Sequence, residues 1–366
     1  MPAMNSKSMI EALIGDKLIF FSFLLLASFG LMVQYSAGNQ NLISLEGQIL
    51  KLCLAILFYV LISNIQINEI RKISPILFGF SFFMLMLVPL IGVTINGSTR
   101  WLDLGILRFQ PSEILKLSLP MFLAWYIDYK EFTLSRLDFL VLLLVMIAPA
   151  YLIYHQPDLG TSLMVLLSGF IVLFFVGVSW KKIFLFLGIF LVSLPFIWRL
   201  LAPYQKNRVL TFLDPTSDPL GAGYNIIQSQ IAIGSGGLFG KGWMNGSQVQ
   251  LDFLPEQSTD FIFAVIGEEF GLFGMLFLIT LFLFILIRGF AISFDAKGTY
   301  SRMLASTITL IFFFSVFINM GMVVGLLPVV GVPLPFISQG GTSMVTIMIS
   351  LGILTSISRD KKLSEE

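Results

Sequence analysis

Uninterrupted apolar runs of about 20 residues are long enough to cross a hydrocarbon core roughly 30 Å thick, and this sequence repeats them from end to end. They fall at 18–37, 48–65, 73–94, 111–128, 138–154, 160–178, 183–202, 260–288, 302–328 and 335–357. A backbone in lipid must satisfy its own polar groups, so each run is read as a helix. Charged residues are only 12% of the 366, against 57% hydrophobic. Such a chain has too little polar surface for a soluble enzyme, a disordered tail or a secreted disulfide scaffold. Cys53 is the single cysteine, which excludes an intrachain disulfide. A net charge of +1 gives no bulk reason to expect nucleic acid as a partner. The expectation is an all-α polytopic membrane protein, one domain over 1–366 with ten transmembrane helices. The first run follows Lys7 and Lys17 with no small-residue cleavage site after it, and reads as an uncleaved anchor.

Basic residues stay on the cytoplasmic side of a membrane, which sets the orientation. With the N-terminus inside, that side holds Lys7, Lys17, Arg71, Lys72, Lys130, Arg136, Lys181, Lys182, Arg288, Lys297, Arg302, Arg359, Lys361 and Lys362. The other side holds Arg100, Arg108, Arg199, Lys206, Arg208 and Lys241, while Lys51 and Lys116 fall within spans. Both termini are therefore expected to be cytoplasmic. The outer basic residues gather in 95–110 and 203–259. They suit an anionic ligand there, or are solvated charges of a long loop that crosses regardless.

The segment 203–259, between the seventh and eighth helices, contains Phe212, Phe239, Trp243, Leu251, Phe253 and Leu254. That is enough apolar material to pack back on the bundle, so an ordered outer cap is expected rather than disorder. Within it, Gly234 to Gly242 resembles a nucleotide loop but fails the P-loop pattern at Ser235 and Gly242. Two readings stay open: a loop whose amides meet phosphate oxygens, or a flexible turn.

Ionisable residues within spans are costly and mark candidate sites. Glu113 and Lys116 are three apart on one helical face and can neutralise each other, either to fix helix register or to serve a mechanism. Glu268 and Glu269 follow Asp260 at roughly 12–14 Å along the same helix. Gly267, Gly271 and Gly274 form a small-residue face that reads as packing. Asp260 stands where the long loop enters the eighth span, placed to act as a base or, with Ser258 and Thr259, to cap the helix. His155 has no second His and no Cys nearby, so no metal set is read from it.

These segments together resemble the shape, elongation, division and sporulation (SEDS) family. The residues that carry the resemblance are Gly97 to Leu102, Phe109-Gln110-Pro111-Ser112-Glu113 with Lys116, and Gln156-Pro157-Asp158-Leu159-Gly160-Thr161. It continues through Gln228 to Gly237, Leu254 to Phe261, and Gly331 to Phe336. Gly240-Lys241-Gly242-Trp243 followed by Gly246-Ser247-Gln248 is similar to the family's elongation branch. Two departures are Gln339, where the family usually has Tyr, and Ser258, where His is common.

The resemblance implies a peptidoglycan glycosyltransferase that polymerises lipid II on the outer face of the bacterial cytoplasmic membrane during cell elongation. It implies Asp260 as the essential carboxylate, Glu113 and Lys116 as the buried pair, and Arg100 and Trp101 as the first outer-loop motif. An acceptor hydroxyl needs one base, and a departing polyprenyl diphosphate needs only charge stabilisation. Arg208, Lys241 and Arg100 are the candidates for the diphosphate, with a divalent cation such as Mg2+ as an optional helper and no other cofactor. Partners implied are a class B penicillin-binding protein and other membrane proteins of the elongation complex. The competing readings are a transporter that flips the lipid-linked precursor, which would want Gly/Pro-broken helices paired across the two halves, and a scaffold, which would leave the outer carboxylate idle.

Overall fold

A computed structural model describes residues 14–363 except 96–97, 104, 106–107, 132, 178–187, 189–190, 197, 200 and 220. The elements run α1 (Lys17–Ala37), α2 (Leu42–Ser63), α3 (Ile67–Ile91), β1 (Val93–Ile95), β2 (Ser98–Asp103), β3 (Arg108–Phe109), α4 (Pro111–Tyr129), α5 (Arg136–His155) and α6 (Leu159–Phe175). They continue as α7 (Pro203–Leu213), α8 (Ala222–Gly236), α9 (Ser247–Gln250), α10 (Ile262–Asp295), α11 (Thr299–Val323) and α12 (Thr342–Leu363). Seven of these helices are long and apolar enough to cross a membrane. α4, with its ion pair, and the 17-residue α6 stand where two further spans were expected. The expected span 183–202 falls largely outside the described residues.

α11 is the most buried of the seven and packs against α10, α4, α6 and α12, with α2 on α12 and α1 on α10. Where helix bounds differ from the apolar runs, local chemistry explains it. α2 starts before its apolar run because the Asn41 side chain caps it, accepting from the amides of Ile43 and Ser44 at 3.1 and 3.2 Å. α12 starts only at Thr342, since Pro333, Pro335 and the Gly340-Gly341 pair disfavour helix and 335–341 is bonded elsewhere. The bundle is not purely helical: β1, β2 and β3 form a small antiparallel sheet with Trp101 opposite Val93 and Leu102 opposite Phe109. Strands this short carry too little alternation to be seen in sequence.

The loops divide between the two ends. At one end Asp16 accepts from Arg288 and Ser358, and Tyr59 reaches Ile14 and Thr355, so residues 14–17 meet 355–359. At the other end lie the sheet, residues 156–158, the segment 203–261 and the stretch 324–341. The segment 203–259 is structured, as expected, by α7, α8 and α9. Leu254 is buried, the Phe239 ring packs at a tilt against Phe273, and the Trp243 indole donates to Met32 O at 3.1 Å.

The attachment of this cap depends on a break in α10. Gly271 has φ +64°, so the amides of Leu272 and Phe273 cannot reach back to Glu268 and Glu269 and donate instead to Gly237 O and Leu238 O. The freed carbonyls of Glu268 and Glu269 accept from the amides of Lys241 and Gly242 at 2.9 and 3.0 Å. Two helical bonds are thus exchanged for four between helix and cap. The approach is close: a Cβ on Gly240 would fall 2.1 Å from Glu269 O, and one on Gly271 would fall 2.4 Å from Gly240 N. The run from Gly236 to Gly242 is therefore a turn docked on α10 through the amides of Lys241 and Gly242 and the carbonyls of Gly237 and Leu238, neither of the two readings left open for it.

Gly240→Ala should lower stability by about 1–3 kcal/mol or more through overpacking at a positive φ. Gly234→Ala, helical, exposed and with nothing within 4 Å, should gain about 0.5–1 kcal/mol. Melting of the two variants in detergent checks this; a Gly240→Ala protein as stable as the parent would show that the cap does not dock through this contact.

Candidate functional site

Asp260 sits on a turn laced to the 331–339 stretch. Its own carbonyl accepts from the Asn319 amide at 3.0 Å, and the same amide donates to Val332 O at 2.8 Å. Thr259 O accepts from Ser338 Oγ at 2.6 Å, and Ser258 O from Gln339 N at 2.8 Å. Asn319 is fully buried, so the backbone on both sides of Asp260 is fixed from inside the bundle.

The side chain itself is left free. α10 is preceded by Phe261 with no side-chain cap, Thr259 Oγ1 turns back to Glu256, and the Asp260 carboxylate makes no hydrogen bond among the described residues. The capping alternative therefore does not hold. Gly331 stands beside the carboxylate, where an added Cβ would sit 3.5 Å from Oδ2. Asp260 is half-buried, and desolvation, with Glu256 and then Asp158 adding repulsion against the lowering pull of Arg208 and Arg100, pushes its pKa up to about 6. A carboxylate in that range can accept a proton near neutral pH and release it again.

Two of the outer arginines reach this neighbourhood. Arg100 in β2 is held by Asp158 at 3.5 Å, by Gln156 O at 3.2 Å and by Pro157 O. Asp158 is buried and holds three groups at once: Arg100, the Gln110 amide at 3.2 Å and, through its other oxygen, the amide of Thr161 that opens α6. In the sequence Asp158 has the look of a helix cap alone, and only the tertiary contact with Arg100 shows its second task. Arg208 on α7 donates to Val329 O at 3.2 Å, which leaves most of its donors unused. Trp101 follows Arg100 in β2 and pairs with Val93, while the register shift before it makes Arg100 the extra residue of a β-bulge.

The Glu113–Lys116 pair forms as expected, at 2.7 Å with 7% and 13% of the side chains exposed. It borders an open pocket whose other walls include Phe312, Ser315, Val332, Pro333 and Ser343. Val332 shares the Asn319 amide with the Asp260 carbonyl, which ties this pocket to the Asp260 turn.

Lys241 has another partner than the one sequence suggested. Its ammonium meets buried Glu268 Oε1 at 2.7 Å, and that oxygen also accepts from Ser247 and from the Gln248 amide. Glu269 accepts from Ser36 of α1 and from the Met244 amide. Both glutamates thus hold the cap against the bundle. Lys241 is not among the charges acting on Asp260.

Residues 9–363 match the family described as cell cycle protein, FtsW/RodA/SpoVE. The chain is 42% identical to peptidoglycan glycosyltransferase MrdB of Escherichia coli strain K12, covering 98% of this chain and 97% of that protein. It is 36% identical to stage V sporulation protein E of Bacillus subtilis strain 168, covering 94% and 97%. Among solved structures it resembles a chain described under structural coordination of polymerization and crosslinking by a peptidoglycan synthase complex, with TM-score 0.83, 31% identity and coverage of 94% and 98%. It also resembles the rod shape determining protein RodA of Thermus thermophilus, with TM-score 0.71, 28% identity and coverage of 94% and 96%.

Breaking the buried pair should be worse than removing it. Glu113→Ala strands Lys116 and should cost about 3–5 kcal/mol, whereas the double change Glu113→Gln, Lys116→Met leaves no lone charge. Thermal unfolding in detergent distinguishes them; a double variant no more stable than the single one would show that the two charges do not compensate each other.

Proposed function

The chain belongs to the FtsW/RodA/SpoVE family, and from that premise we infer that it is a peptidoglycan glycosyltransferase that polymerises lipid II. The observation that carries the mechanism is the unpartnered Asp260 carboxylate, held by its backbone and within the electrostatic reach of Arg208 and Arg100. Asp260 takes the proton of the acceptor sugar hydroxyl as its oxygen attacks the donor's anomeric carbon. The bond from that carbon to the diphosphate breaks, and the lipid diphosphate departs with the electron pair. One displacement inverts the centre, and one carboxylate suffices because the leaving group needs no protonation.

Arg208 supplies charge-assisted hydrogen bonds to the diphosphate, and Arg100, locked by Asp158, supplies a fixed positive field. Trp101, next to Arg100 in β2, is the substrate-contact candidate from the sheet, and Lys241 acts on substrate only through the position of the cap. Among the described residues no three His, Cys, Asp or Glu side chains gather to hold a metal. No step is routed through Mg2+.

The setting completes the reading: ten spans in the cytoplasmic membrane, both termini inside and the Asp260 end outside. Residues 14–17 and 355–359 meeting at one end support this, as does the distribution of basic residues. The resemblance to a chain of a peptidoglycan synthase complex supports a crosslinking transpeptidase of the class B penicillin-binding type as partner, with other elongation-complex membrane proteins around it.

Purified protein, with and without such a partner, should convert lipid II to glycan polymer; a flippase would make none. Asp260→Asn keeps size and fold, and should bind lipid II while polymerising about 10²–10⁴ more slowly. Substantial polymer from that variant would remove Asp260 from the base role. Arg208→Ala should weaken lipid II binding roughly tenfold or more, read by titration in detergent.

The raised pKa of Asp260 gives two further expectations. Polymerisation should climb with pH through about 6 and level off above it. The folded group binds its proton more tightly than the unfolded one, so the fold loses stability as pH rises from about 4 to about 6 and does not regain it above. Asp260→Asn should therefore melt higher than the parent at pH 7.5, with the gap closing below pH 4. A lower melting point at pH 7.5 would contradict this.

A further inference from the structure

The end of α12 nearest Asp260 is an open helix N-terminus. Among the described residues the amides of Gly340, Gly341, Thr342 and Ser343 donate to no acceptor. α2 faces it: Ser44 Oγ accepts from the Gln339 amide at 2.9 Å, and a Cβ on Gly341 would lie 3.4 Å from Lys51 Cδ. Positions 44, 48 and 51 share one helical face, so Gln48 stands between those two contacts. Gln48 is 1% exposed, yet neither its amide nitrogen nor its oxygen has a partner. Lys51 is half-buried and makes no ion pair or hydrogen bond among the described residues. Gln48 is thus a buried side chain with its amide donor unmet, and beside it stand the unpaired helix amides and the half-buried Lys51 ammonium. All three are donors that an anion can take up.

The same segment links this cluster to Asp260. Residues 329–341 run from Val329, which accepts from Arg208, past Gly331 beside the Asp260 carboxylate, to Gly341 against Lys51. Ser343 also lines the largely apolar pocket bordered by Lys116. We propose that Lys51, Gln48 and the N-terminus of α12 form a second diphosphate subsite, opposite Arg208 across Asp260, which takes a lipid-linked diphosphate with its first isoprene units in the adjoining pocket. The inference rests on the polymerase reading, since that reaction joins two molecules that each carry a lipid diphosphate and must hold both at once.

Calorimetric titration of the purified full-length protein with farnesyl diphosphate tests it without requiring turnover. The parent should bind two equivalents; Lys51→Met should lose one, or weaken it roughly tenfold to a hundredfold, while Arg208→Ala loses the other. Lys51→Arg should keep the site, and farnesol should not fill it. Gln48→Leu should weaken the same equivalent while raising the melting temperature, because it removes an unsatisfied buried amide. Unchanged stoichiometry and affinity in Lys51→Met and Gln48→Leu, both folded, overturns the subsite. A parent that binds farnesyl diphosphate through Lys51 but makes no polymer from lipid II keeps the subsite and defeats the polymerase reading instead.

Discussion

Two hydrogen bonds withdrawn from a helix and given to a loop hold the upper part of this molecule together. At Gly271 the α10 ladder opens, and its loose amides and carbonyls are taken up by Gly237, Leu238, Lys241 and Gly242. In a membrane protein an interrupted helix must find new partners for every freed group, and the cap supplies them. The two buried glutamates that precede the break add side-chain ties, Glu268 to Lys241 and Glu269 to Ser36 and Met244. The cap is therefore continuous with α10, whose first turn follows Asp260 directly.

Four acidic residues near this end show how surroundings decide what a carboxylate does. Glu113 is neutralised by Lys116 one turn away. Asp158 is spent on Arg100, Gln110 and the start of α6. Glu268 is satisfied through one oxygen by three donors of the cap. Asp260 alone among them has its backbone fixed and its side chain free, which leaves it available for proton transfer.

Much of the fold was legible because a helix in lipid must be long and apolar, and that requirement writes itself into consecutive residues. The pair Glu113 and Lys116 was legible for the same local reason, being three apart on one helix. What stayed hidden depends on contacts between distant segments. Nothing in the sequence around Gly271 separates a broken helix from a packing stripe, since both call for glycine. Lys241 looked available because its partner lies 27 residues away, and the second role of Asp158 needed Arg100, 58 residues earlier, to be visible. Asp260 was legible as a carboxylate at a boundary, but its freedom from capping was a matter of side-chain direction.

The small sheet carries a consequence of its own for how the chain can vary. Between the pairs Thr94–Thr99 and Val93–Trp101 the register shifts by one residue, so Arg100 is the extra residue of a β-bulge. The bulge releases Arg100 from the ladder at the point where its guanidinium meets Gln156 O and Asp158. Deleting one residue here would restore a regular ladder and withdraw that guanidinium from Asp158. The irregularity of the hairpin is thus as much a part of the site as the residues it displays.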